Sequence, residues 1–217
     1  MLTVSDKGNG SSVPPLDPGM YAAVCYGMVD LGTVHSERFN TDHRKMLLMW
    51  EIPSERLEWT DKEGNEQEGP RVMSKRYTAS LNEKAHLRKD LRSWRGRDFT
   101  PDDLVAFQMP TLIGKPCQLN VVHVVSKTNG NTYANVDTVL PAAKGVTVKG
   151  ELPQVYYGIE EHGVQIPELP PWIVTEIQKS PEYQIILNGG SPMTVPDADD
   201  QGPAVPDEAR NVRDIPF

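Results

Sequence analysis

Between Gly19 and Leu140 five short β-type segments are interrupted once by a single amphipathic helix, and few folds accommodate that order. Gly19 to Val34, containing Tyr21-Ala22-Ala23-Val24-Cys25-Tyr26, reads as the first strand. Thr41 to Ile52 reads as the second: Met46, Leu48, Trp50 and Ile52 share one face, Lys45, Leu47, Met49 and Glu51 the other. Its apolar residues fall on both faces, so both are expected to be partly covered, with Trp50 in the core. The polar stretch Pro53 to Pro70 is predicted as a loop leading to a third strand at Arg71 to Thr78. A helix is predicted from Ser80 to Arg95, with Ser80 and Glu83 as a capping box, Leu87, Leu91 and Trp94 as its apolar stripe and Gly96 as its stop. Thr100 and Pro101 then open a short second helix. Pro116 to Ser126 and Thr132 to Leu140 read as strands four and five, joined by a turn at Thr128-Asn129-Gly130-Asn131.

That order predicts a mainly β chain built on a five-stranded OB-fold barrel over residues 17–145, with the helix between strands three and four. Closing the strands removes exposed edges, and the outer face of strands two and three is where such barrels bind oligonucleotides. A ferredoxin-like or open α+β sheet also fits the order. Residues 1–16 read as a flexible N-terminus and 146–187 as an appended extension with a short helix near Pro170 to Lys179. Residues 188–217 have almost no apolar content and read as a disordered acidic tail.

Composition sets the class. The chain has 217 residues, a formal charge of -8 and no apolar run long enough to span a membrane, and its first residues lack a secretory pattern, so a cytoplasmic protein is expected. Cys25 and Cys117 sit in apolar, strand-like runs and read as small buried hydrophobes. The average charge conceals a sharp asymmetry: Arg71 to Arg97 holds nine basic and two acidic residues, whereas residues 1–70 hold six basic and twelve acidic. Because the Debye length is about 8 Å at physiological salt, one basic groove can coexist with acidic surfaces elsewhere.

On the helix, Lys84, Arg88, Arg92 and Arg95 form a stripe beside Leu87, Leu91 and Trp94. Such a stripe can be a merely solvated face; Arg71, Lys75 and Arg76 on the third strand add charge beside it, and Arg97 follows Gly96. Cations along a phosphate path with flat rings for bases are what a single-stranded nucleic acid requires. Lys45, Arg71, Lys75, Arg76, Lys84, Arg88, Arg92, Arg95 and Arg97 are therefore the candidate phosphate contacts. Tyr77, Trp59 and Phe39 are the candidate stacking rings, with Tyr133 a further one, although a strand tyrosine such as Tyr77 serves equally well as core.

The chain ends Asp214-Ile215-Pro216-Phe217, and this ending resembles the tip of bacterial single-stranded DNA-binding proteins, whose acidic tails recruit replication and repair enzymes. The stretch Tyr77-Thr78-Ala79-Ser80-Leu81 through Glu83-Lys84 to Trp94-Arg95-Gly96-Arg97 is similar to a family of bacteriophage OB-fold single-stranded DNA-binding proteins. The family tail usually carries a run of aspartates before its tip, whereas Arg210 and Arg213 interrupt the acids here. The resemblance implies a protein that coats single-stranded DNA in phage replication, recombination or repair and recruits partners through Asp214, Ile215, Pro216 and Phe217. The residues also leave open a protein-interaction adaptor whose barrel takes peptide, or an RNA-binding surface. The five histidines and the cysteines show no metal-ligand spacing, and no phosphate-loop, dinucleotide, zinc-protease or nucleophile-elbow motif occurs, so no enzyme, metal or cofactor is expected. The Glu160-Glu161-His162 cluster reads as a solvated loop.

Overall fold

The computed structural model describes residues 14–37, 40–60 and 64–191. The elements run β1 (Gly19–Ser36), β2 (Thr41–Thr60), β3 (Glu66–Thr78), α1 (His86–Arg95), α2 (Pro101–Ala106), a 3-10 turn (Met109–Leu112), β4 (Pro116–Val125), β5 (Thr132–Pro141), β6 (Val155–Tyr157), α3 (Ile159–His162), α4 (Pro171–Lys179) and α5 (Pro181–Leu187). No described helix is long and apolar enough to cross a membrane.

Five strands lie antiparallel in the order β3-β2-β1-β4-β5, and β6 adds to β1 in parallel at Gly27 to Val29. Bulges at Cys25/Gly27, Asp30/Gly32 and Asn120/Val121 increase the twist and curl the sheet. The curl brings its marginal strands together: Lys75 on β3 donates from Nζ to the carbonyl oxygen of Asp137 on β5 at 2.7 Å. The result is a mainly β, barrel-like body with few helices.

Strand periodicity divides the apolar residues between two cores. Ala23 and Cys25 of β1, Met46, Leu48, Trp50 and Ile52 of β2, Met73 and Tyr77 of β3, and Cys117, Leu119 and Val121 of β4 face inward. The apolar stripe Leu87, Leu91 and Trp94 of α1 closes this core, and the Trp94 indole N–H donates to the Pro116 carbonyl oxygen at 2.9 Å. Both cysteines are buried free thiols here, and burial pushes the Cys25 thiol up to about 12. The opposite face of β1 and β2, with Tyr26, Val29, Leu31, Leu47 and Met49, packs on Tyr157, Ile159, Ile173, Ile177 and Tyr183. Residues 155–187 are thus a second layer on the sheet and not a loose appendage. Polar bonds fasten it: Arg44 bridges Asp30 and Glu160, and Glu182 accepts from the Thr33 backbone N–H at 2.9 Å and from its hydroxyl. Gly32, at φ 71°, makes that approach possible, since a Cβ there would lie 2.6 Å from the Ser180 hydroxyl oxygen.

Two predicted elements differ from what the chain adopts. The stretch 53–70 is mostly not a loop: β2 continues to Thr60, β3 begins at Glu66, and they pair from Arg56↔Pro70 to Thr60↔Glu66 as a two-stranded ribbon. Pro53 sits at the register shift between Ile52 and Arg56, where its missing N–H disrupts no regular rung. Helix α1 begins at His86, not Ser80, and its N-cap Ala85 has no side-chain cap. The Ser80 hydroxyl instead accepts from Asn82 N–H at 3.2 Å and the Asn82 amide oxygen from Lys84 N–H at 3.3 Å, so local side-chain bonds outcompete the first helical turn. Thr100 and Pro101 do open α2, where Asp103 returns the Thr100 bond to make a capping box, and Gly96 is the left-handed C-cap of α1.

Candidate nucleic-acid interface

Burying Leu87, Asp90, Leu91 and Trp94 against the barrel turns Arg88, Arg92 and Arg95 of α1 to the adjoining helical face, and Arg97 follows the C-cap. The four guanidiniums surround two carboxylates. Asp98 lies 3.7 Å from Arg88 and 3.6 Å from Arg92, and Asp103 lies 2.9 Å from Arg95 and 3.7 Å from Arg97. The Arg95 hydrogen bond, then the Thr100 N–H and the nearby arginines, hold the Asp103 carboxyl down at about 2. The Phe99 N–H, helped by Arg92 and Arg88, lowers Asp98.

Aromatic rings complete the cluster. Phe99 and Phe107 meet edge to face at 5.3 Å, and the Arg95 guanidinium lies 4.5 Å and 4.9 Å from their centroids. Arg95 and Arg88 are thereby held close to the body, at 12% and 16% exposure, while Arg92 and Arg97 reach solvent at 65% and 63%. Lys84, in the turn entering α1, and Lys89 on the helix are exposed as well. Two fixed and two solvent-exposed guanidiniums with two exposed lysines make a surface for spaced anions such as successive phosphates.

The other predicted cations stand apart from this cluster. Lys75 is tied to buried Asp90 at 2.7 Å and to the Asp137 carbonyl oxygen, so it joins β3, β5 and α1. Arg71 is buried and donates to the Pro14 carbonyl oxygen. Arg76 pairs with Glu176 of α4 at 3.2 Å, and Lys45 donates to the Thr78 hydroxyl across the β2–β3 ladder at 2.8 Å.

Tyr77 is not a stacking platform. It is 2% exposed inside the barrel, its hydroxyl donates to Asp90 at 2.8 Å, and burial pushes that hydroxyl well above the ordinary tyrosine range. Trp59 is half-buried on the ribbon, its ring lying over Gly69, where a Cβ would come within 2.9 Å of it. Tyr133 accepts from the Asn129 side-chain amide at 2.7 Å. Phe39 and the tip residues Asp214, Ile215, Pro216 and Phe217 lie outside the described residues.

The outer face of β2 and β3, predicted as the binding face, is covered at its centre. Leu47, Met49 and Val72 are packed beneath the layer that carries Ile173 and Ile177. The apolar residues on both faces of β2 explain why, since the second face needs a cover. The predicted list also lacked Phe99, Phe107, Asp98 and Asp103. The signal for Asp98 and Phe99 is the run Arg95-Gly96-Arg97-Asp98-Phe99, where an acid and a ring directly follow the arginines, whereas Asp103 and Phe107 lie beyond it. No family model matches the chain, and no curated protein is significantly similar to it.

Proposed function

We propose that this chain is a non-enzymatic single-stranded DNA-binding protein built on an OB-type barrel, acting in phage replication, recombination or repair. Its phosphate path runs over α1 and not over the outer face of β2 and β3. The observation that carries this reading is the arginine cluster: Arg88, Arg92, Arg95 and Arg97 on one surface, with two of them stacked beside Phe99 and Phe107. The strand order, with the marginal strands meeting at Lys75 and a helix plugging the barrel between β3 and β4, supports an OB topology. The acidic segment that carries Asp214-Ile215-Pro216-Phe217 offers two apolar side chains on a proline-restricted backbone, which suits capture by a small basic pocket on a replication or repair protein.

The test is titration of a labelled oligo-dT of about 30 nucleotides and a duplex of equal length by anisotropy, with wild type and R88E/R92E. Tight single-strand binding, weak duplex binding and loss in the variant are expected. Single-strand binding untouched by R88E/R92E would remove the α1 path, and no binding to either DNA would return the barrel to protein interaction.

A further inference from the structure

The β2–β3 ribbon and the α1 face carry opposite charge at separate places on one molecule. Around the arginine cluster, Lys84, Arg88, Lys89, Arg92, Arg95 and Arg97 stand against Glu83, Asp98, Asp102 and Asp103, a balance of +2. On the ribbon, residues 53–60 and 64–70 hold Glu55, Glu58, Glu66 and Glu68 against Arg56, a balance of -3. Glu58 and Glu68 are directly cross-strand, and Thr60 faces Glu66, so Glu58, Glu66 and Glu68 share one exposed side of the ribbon. Like charges directly opposite destabilise a ladder, and Arg56, bound to Glu68 at 2.9 Å and to Glu151 at 2.8 Å, offsets this only in part. An opposite charge arriving from outside would relieve it.

A chain's own arginine face is poorly placed to provide that charge. Lys75, which holds α1 through Asp90, is paired with Leu48, whereas the ribbon's outermost rung is Thr60↔Glu66, nine residues and about 30 Å farther along β3 at 3.3 Å per residue. Among the described residues the α1 arginines pair with Asp98 and Asp103. Two ribbons would repel each other, which disfavours edge-to-edge pairing.

We propose that the ribbon of one copy docks on the arginine face of another, head to tail, so that free protein self-associates at low salt and single-stranded DNA, competing for the same face, disperses it. Such a contact is heterologous and propagates from copy to copy. The proposal rests on the reading of the α1 face as a polyanion site, and its test separates the two.

Sedimentation velocity of the full chain at low salt is expected to show mass rising above the 24.2 kDa monomer with concentration and returning to it at high salt or with saturating oligo-dT. E58K/E66K/E68K, which turns the ribbon to +3, and K89E/R92E/R97E, which turns the face to -4, should each be monomeric alone. An equimolar mixture should restore association, because the reversed ribbon fits the reversed face. A wild type that stays monomeric, association that survives ribbon reversal, or a mixture that fails to rescue would overturn the proposal, whatever the DNA titration gives. Charge-swap rescue together with no binding of oligo-dT would keep the ribbon contact and overturn the nucleic-acid reading alone.

Discussion

Residue by residue, the basic segment splits into cations that build the fold and cations that face solvent. Lys75, Tyr77 and Asp90 form one knot in which Asp90, 6% exposed, accepts from both partners. Replacing Asp90 with Ala leaves the buried Tyr77 hydroxyl without its acceptor and the partly exposed Lys75 ammonium with only the Asp137 carbonyl oxygen, and should cost about 3 kcal/mol. Tyr77→Phe deletes one neutral donor and should cost about 1 kcal/mol. Urea unfolding of both variants checks this, and a Tyr77→Phe cost equal to that of Asp90→Ala would mean the carboxylate is not the hub. Asp103 gives a pH signature. Its folded carboxyl sits at about 2, below the ordinary value near 4, so the stability it contributes is present above pH ~4 and is lost as pH falls toward 2. Asp103→Asn should therefore melt lower than wild type at pH 6, with the gap closing by pH 2; a gap independent of pH would refute the assignment.

At the level of elements, the layer of β6, α3, α4 and α5 is part of the core because Leu47 and Met49 make the outer face of β2 apolar. Ile177 is fully buried there, and Ile177→Ala should cost about 2 to 5 kcal/mol while leaving one cooperative transition, since the layer and the barrel share β1 and β2. Tryptophan fluorescence and far-UV circular dichroism in urea would reveal a separate early transition if the layer unfolded by itself. This region also marks where the sequence could be read and where it could not. The core strands were legible from alternation, and Trp50, Leu87, Leu91 and Trp94 lie where their periodicity puts them. The ribbon was not, because its order comes from cross-strand contacts such as Trp59 over Gly69 and Arg56 with Glu68, which a polar, glycine-containing stretch does not advertise. The stripe Arg88, Arg92 and Arg95 was legible from helical spacing, whereas the exclusion of Lys75, Arg71 and Arg76 was not. Their partners Asp90, Pro14 and Glu176 lie 15, 57 and 100 residues away.

For the whole molecule, an acidic chain that binds a polyanion through one face should reveal that face by its response to salt. Each phosphate neutralised on a single strand contributes about -0.7 to the slope of log affinity against log salt, so five contacts give roughly -3.5. Arg92 and Arg97 are the two most exposed guanidiniums of the cluster, held by carboxylates only at 3.6 and 3.7 Å, so they can exchange those partners for phosphates without disturbing the core. The double variant R92A/R97A should therefore keep its melting temperature while its slope falls to roughly -2.1, two contacts fewer. Arg95 differs: it is stacked on Phe99 and Phe107, so Arg95→Ala should lower both affinity and stability. Anisotropy titrations with oligo-dT at four salt concentrations, paired with thermal melts, separate these outcomes. A slope of R92A/R97A equal to that of wild type would move the phosphate path off α1, since counterion release counts the contacts directly and the overall charge of -8 cannot mimic it.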